Sequence, residues 1–227
     1  MRQKSIQKPT PYYEQFYHSL KKMIFEGELQ PGERINETQL SKEFNVSKSP
    51  IREAVRTLER EGLLVFDEKN KIVVYEPTGK DIEEIYECRQ ALESFGVKFV
   101  VERASDEQMM EIGVLLSNTK QAIQDKKPAH EIIAMNEEFH QKIIEFSQND
   151  RLKKHINELK SLMHLFRIYN FTGINRALVI WEEHHRIFQK MNARKGNEAA
   201  EAMIEHLNCD IVHLKEVLAM DKKSFFN

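Results

Sequence analysis

The chain has 227 residues, of which 41% are hydrophobic and 31% charged. Those fractions suit one large or two small folded domains and exclude intrinsic disorder. Lys and Arg number 34 against 36 Asp and Glu, a formal net charge of −2, which excludes a basic nucleic-acid coat protein. Glycine (8) and proline (6) are scarce, and the abundant Glu, Lys, Leu, Ile and Met favour helices over sheets. Cys88 and Cys209 lie far apart and form no C-x-x-C pair, which excludes a cysteine zinc site and a disulfide framework. The opening residues MRQKSIQKPTPYY contain no apolar signal-peptide core, and no run reaches the ~18 apolar residues of a spanning helix. A cytoplasmic protein without membrane contact is expected.

Residues 1–11 read as a flexible arm. Phe16, Leu20, Met23 and Ile24 recur at helical spacing between Tyr12 and Glu26, and Gly27 stops that helix. Asn36, with Gln39 three residues on, predicts a capped helix over Glu37 to Asn45 that buries Leu40 and Phe44. Ser47 or Ser49 caps a third helix, with Pro50 tolerated in its first turn. Its apolar face is Ile51, Ala54, Val55 and Leu58, and Gly62 ends it. Leu63 to Phe66 and Lys71 to Tyr75 are β-rich runs around a turn at Asp67 to Asn70.

The character changes near residues 76–80, after which nearly everything reads as helix. Asp81 with Glu84 and Ser105 with Gln108 are capping-box starts. Further helices are predicted from Pro128 to Ser147, Arg151 to Tyr169, around Trp181 to Ala193, and from Lys195-Gly196-Asn197 to about Met220. The expected architecture is mainly α. A winged helix-turn-helix with a small β-hairpin wing fills residues 12–77, and an all-helical bundle fills residues 78–227.

Charge placement on the third helix points to DNA. Lys48, Arg52, Arg56 and Arg60 stand four apart and form one ridge, turned away from the apolar face. Such a helix can enter the major groove, where Arg reads guanine and Lys or Arg meets phosphate. Lys48, Ser49, Arg52 and Arg56 on the helix and Lys69 and Lys71 on the hairpin are the candidate contacts. Cations four apart also occur on ordinary solvated faces, and Glu53 and Glu59 share this helix.

The run Leu29-Gln30-Pro31-Gly32-Glu33-Arg34, then Glu37, Leu40, Phe44, Val46-Ser47-Lys48-Ser49-Pro50-Ile51-Arg52-Glu53-Ala54, Leu58 and Glu61-Gly62-Leu63, resembles the GntR family of bacterial repressors. The likeness runs from about Tyr17 to Val74. It implies binding of a double-stranded operator by a homodimer, with Lys48 and Arg52 in the places of DNA-contacting basic residues. Two positions depart from the family pattern. Thr38 stands where the second helix often carries a basic residue, and Lys69-Asn70 stands where the wing tip often has glycine.

Eight of the nine histidines lie at or beyond residue 130. His140 shares a helix face with Asn136, Ile143 and Ile144; His184 with Ile187, Phe188 and Met191; His206 with Ala199, Ala202 and Met203. All three are therefore expected to point inward, whereas His185 is rotated off its apolar face by about 100°. Each alone also fits an ordinary hydrogen-bonded core histidine. Together they match the ligand chemistry of zinc and its neighbours.

Asn136-Glu137-Glu138-Phe139-His140, Asn149, Glu183-His184 and His206, with Arg89 and Glu93 four apart, resemble the FCD effector domain of the FadR subfamily. The likeness covers about Asp81 to Leu218. It implies a divalent metal (zinc, nickel or manganese) held by His140, His184, His206 and residue 136, in a cavity that takes a small carboxylate effector. Residue 136 is Asn where that domain has Asp. A neutral amide weakens the site and leaves the ion's charge to attract an anion. Without metal, Arg89 is the candidate effector contact. The expected function is a ligand-responsive transcription regulator, not an enzyme. The alternative is a metal-dependent hydrolase-type enzyme using the three histidines, though no H-E-x-x-H, phosphate loop or nucleophile motif accompanies them.

Overall fold

The computed structural model describes residues 11–224, with side chains as far as residue 220. The arm expected over residues 1–11 lies outside the described residues apart from Pro11. The chain divides into two compact units, Met1–Pro77 and Thr78–Asn227, and each is taken by itself.

In the first unit, α1 (Tyr12–Phe25) buries Phe16, Leu20 and Ile24, a single i, i+4 stripe. Gly27, with φ +72°, turns the chain out of it. α2 (Glu37–Glu43) is capped by the Asn36 side chain, which accepts from the Thr38 and Gln39 amides. The Gln39 side chain turns instead to Glu43, at 2.8 Å, so the reciprocal half of the expected box is missing. α2 buries none of its residues. Leu40 is only half-buried, and Phe44 is exposed, leaning edge-on against Phe16 with ring centroids 5.0 Å apart. Seven residues make only about two helical turns, too few to lay down a full apolar stripe.

α3 (Lys48–Arg60) buries the predicted face of Ile51, Ala54, Val55 and Leu58. Its foot is tied to α1: the Tyr17 hydroxyl donates to Glu61 at 2.6 Å, and the Lys21 ammonium donates to the same carboxylate at 2.7 Å. β1 (Leu64–Phe66) and β2 (Ile72–Val74) pair antiparallel, with Leu64 opposite Val74 and Phe66 opposite Ile72. A third piece of backbone joins them, since Arg34 bridges Val73 and the Ile35 amide donates to Ile72 at 2.9 Å. The Asp67 side chain accepts from the Lys69 and Lys71 amides and closes the hairpin. Asn70 has φ +55°. The amide residue thus takes the left-handed conformation for which glycine is the usual choice.

The second unit holds α4 (Gly79–Arg103), α5 (Asp106–Gln124), α6 (Ala129–Phe146), α7 (Asp150–Glu158), α8 (Lys160–Asn170), α9 (Arg176–Asn192) and α10 (Gly196–Ser224). α4 is capped by a Thr78–Asp81 box, one turn before the predicted Asp81–Glu84 pair, while α5 has its Ser105–Gln108 box as expected. The helix predicted over Arg151 to Tyr169 is two helices. The Leu159 amide bonds back to Ile156, a tighter three-residue closure that ends α7 before α8 begins. α9 starts at Arg176, behind Gly173 (φ +101°) and Asn175 (φ +61°), five residues before Trp181. α4 packs along α6, α9 and α10, which are the three helices that carry His140, His184 and His206.

Candidate DNA-reading face and sensor core

α3 is amphipathic because its cations and its aliphatic residues follow the same period on opposite sides. Lys48, Ser49, Arg52, Arg56 and Arg60 are all exposed, and a shallow concavity is lined by Ser49, Arg52, Glu53, Arg56, Glu59 and Arg60. The Arg52 Nε donates to Glu37 Oε2 of α2 at 3.0 Å. Arg60 folds back onto the Arg56 carbonyl and Thr57 Oγ1, at 3.3 and 3.1 Å. The side chains of Lys48 and Arg56 have no partner among the described residues, and Lys69 and Lys71 stand exposed on the wing.

The helical unit does the opposite and hides its charge. His140, His184 and His206 are 3%, 3% and 1% exposed. One ring nitrogen from each lies within 4.8 Å of the others, and the Nε2 atoms of His184 and His206 are 3.2 Å apart. Two carboxylates back the cluster. Glu93 accepts from His140 Nδ1, and Glu183 accepts from His206 Nδ1 at 2.7 Å. Those bonds fix the tautomers and leave Nε2 lone pairs facing the centre, the arrangement that orients metal-ligating histidines. Metal–nitrogen bonds of ~2.1 Å in a tetrahedral shell separate ligand nitrogens by about 3.4 Å, close to the His184–His206 separation, while the cluster as a whole spans up to 4.8 Å. Burial pulls the His140 imidazolium down to about 4, with Glu93 resisting that fall. Burial also drives His184 well below its usual range, helped by the neighbouring His206 and His140. Both rings are thus neutral near pH 7, the state a metal requires. Asn136 is 5% exposed, one turn before His140, and lines a small space with Phe139 and His184. The three imidazoles fit a divalent metal, and Asn136 brings only a neutral amide. His185 is peripheral, stacked on Trp181 at 5.0 Å.

Around this cluster runs a buried ionic network. Arg89 donates from Nε to Glu93 at 2.7 Å, approaches Asp210 at 3.9 Å and lies over the Tyr86 ring. Burial by itself would raise the Glu93 carboxyl, but Arg89 and His140 overcome it and hold the group well below the carboxylate range. Asp210 also receives Asn170 Nδ2 at 2.7 Å and Arg176 Nη2 at 2.6 Å. Arg89 is 1% exposed and does not line the neighbouring cavity. Sequence reasoning quoted Glu183 only within the FCD resemblance, without its role behind His206, and missed Asp210 and Arg167. For Asp210 a signal existed, four residues after His206 on one face. Arg167 showed only as a charge ending the apolar run Leu165-Phe166.

A cavity of about 300 Å³ opens beside His140, walled by α6, α7 and α8 and reaching Glu93 of α4. Glu137 on its wall accepts from His164 at 3.0 Å, and despite burial its carboxyl is held down to about 2.

A winged helix-turn-helix with an exposed basic face, joined in one chain to a helical unit with a buried histidine–carboxylate centre, defines a DNA-binding regulator with a sensing domain. The family model "Bacterial regulatory proteins, gntR family" matches residues 12–74, and the FCD domain model matches residues 84–208. The chain belongs to the GntR family of transcription regulators and carries an FCD domain with a metal-capable histidine cluster. It is 44% identical over 219 residues to the HTH-type transcriptional regulator YdhC of Bacillus subtilis (strain 168), covering 96% of this chain and 98% of that one. It is 24% identical over 200 residues to the HTH-type transcriptional repressor RspR of Escherichia coli (strain K12), covering 88% of this chain and 87% of that one. Among solved structures it resembles E. coli McbR/YncC, with a TM-score of 0.71 at 25% identity over 92% of this chain and 99% of that one. The family and these relatives are regulators, which sets aside the hydrolase alternative. No helix among the described residues is long and apolar enough to cross a membrane.

Proposed function

We propose that the chain is a cytoplasmic repressor that binds a two-fold operator as a homodimer and answers to a small organic acid, a divalent metal, or both in its helical unit. The carrying observation is the buried three-histidine cluster with carboxylates behind two of its rings, in a chain whose basic residues stand exposed along one helix. The repressor sense follows RspR.

Lys48, Ser49, Arg52 and Arg56 face the operator, and Lys69 and Lys71 meet phosphate from the wing. His140, His184 and His206, with the Asn136 amide, would hold zinc, nickel or manganese. Such an ion supplies a fixed positive charge that attracts an anionic effector. Arg89 serves the effector site through Glu93, which it keeps ionised against His140. Effector binding controls the operator only through different affinity for two arrangements of the DNA-reading units, typically a coupling of ~1–3 kcal/mol.

The test uses an operator selected from a random duplex pool and a mobility-shift titration with and without small carboxylates. At least one acid should change operator affinity severalfold. Elemental analysis should find close to one transition metal per chain, lost in His184→Ala/His206→Ala and held more tightly in Asn136→Asp. No selected duplex would overturn the DNA reading. An absence of metal from wild type and Asn136→Asp alike would overturn the metal reading.

A further inference from the structure

Among the described residues, the fully charged groups buried in the helical unit are Arg89, Arg167 and Arg176 against Glu93 and Asp210. Three cations thus face two anions. The pairings show which cation is left over: Arg89 lies on Glu93, and Arg176 lies on Asp210. Arg167 is 4% exposed, forms no ion pair, and its Nε has no hydrogen-bond partner. Burial lowers its pKa and the nearby Arg89 adds to that effect, while Glu137 and Glu93, neither close enough for an ion pair, only partly oppose it. An unpaired guanidinium inside a protein is expensive unless an anion arrives to complete it.

Arg167 lines the cavity beside His140. The same cavity has an apolar wall of Ile144, Ile156 and Met163, all buried, while Lys153 stands exposed at its edge. Glu137 on the lining is bonded to His164, lies 4.0 Å from Lys160 and also feels the Arg167 charge without pairing with it, so the cavity already holds one carboxylate. A second carboxylate beside Glu137 would be repelled.

We infer that Arg167 is the receptor for the effector's carboxylate, that the effector is a monocarboxylate with an apolar body lying on Ile144, Ile156 and Met163, and that this seat works without a metal. This rests on the effector reading above and narrows it to one ligand class. The guanidinium fork receives both carboxylate oxygens, a geometry lysine cannot reproduce. Each buried methylene should add about fourfold in affinity.

The experiment is calorimetric titration of the full chain, before and after chelator treatment, with acetate, hexanoate and succinate. Hexanoate should bind at least tenfold more tightly than acetate or succinate, and chelation should change its affinity by less than about threefold. Arg167→Met should weaken hexanoate at least tenfold, and Arg167→Lys should weaken it less. Because it removes an unpaired buried charge, Arg167→Met should raise the melting temperature of the ligand-free protein, whereas loss of a merely structural arginine would lower it. Hexanoate binding that vanishes on chelation and returns with zinc would overturn the inference and leave the effector reading standing. So would a preference for succinate, or unchanged affinity in Arg167→Met. Failure of all three acids on untreated protein would count against both.

Discussion

The two units use the same residue type in opposite ways. In the DNA-reading unit Arg52 and Arg56 lie on the surface, with the Arg52 side chain 57% exposed. In the helical unit Arg89, Arg167 and Arg176 are nearly inaccessible. A duplex is a large polyanion that cannot enter a protein, so its partners must be reachable and solvated. A small anion can be enclosed, and enclosure strengthens every charge around it. The bulk charge of −2 hides both designs, because residues 1–79 carry 13 basic and 12 acidic side chains and are nearly neutral themselves. Function lies in placement, and stability should respond accordingly: strongly to charge changes in the core and barely to those on α3.

The largest effect expected is on stability, from Glu93→Ala. That change strips Arg89 and His140 of a shared buried partner. Breaking a buried pair from one side costs about 3–5 kcal/mol, a fall in melting temperature of roughly 10 °C for a unit of this size. Thermal denaturation checks it, and a change below 2–3 °C (about 1 kcal/mol) would mean that the network is not a stability element. Next comes Arg52→Ala, which should weaken binding to the selected operator roughly tenfold to a hundredfold through ~1–3 kcal/mol of lost base contact. Its melting temperature should stay at the wild-type value, since the Arg52–Glu37 pair is a surface contact. A lower melting temperature with intact operator binding would reverse the comparison.

Much of this was legible in the sequence because it follows local periodicity. The α3 ridge, its apolar face and the inward turn of His140, His184 and His206 are consequences of a 3.6-residue repeat. What was not legible depends on distant partners. Nothing local shows that Glu183 backs His206, 23 residues away, or that Arg167 Nε is left without a hydrogen-bond partner. The exposure of Phe44 was missed for a related reason, since helical spacing marks a face without saying that a neighbour covers it. The wing's third piece also escaped, because Glu33 to Ile35 pairs with residues almost forty positions later.

Glu37 offers a finer test within the DNA-reading unit. Its carboxylate holds Arg52 by Nε and leaves the Nη atoms for a guanine edge. Glu37→Ala should weaken the selected operator a few-fold by freeing that side chain. Binding to a random duplex should tighten, because a negative charge has left the face. The ratio of the two affinities is the measurement. An equal gain on both duplexes would show that Glu37 merely masks Arg52.

The smallest effect expected is in the salt response of Arg56→Ala. Arg56 is exposed on the ridge four residues past Arg52, further from the helix end that reads bases. A phosphate contact releases counterions, so each one adds about 0.9 to the slope of log affinity against log salt. Arg56→Ala should therefore flatten that slope by about 1 and weaken operator and random duplex alike. A loss confined to the operator, with the slope unchanged, would move Arg56 from backbone to base recognition. In either case the melting temperature should not move, because Arg56 has no partner among the described residues to lose. That insensitivity separates the exposed arginines from the buried ones, where removing a paired charge lowers stability and removing the unpaired Arg167 raises it.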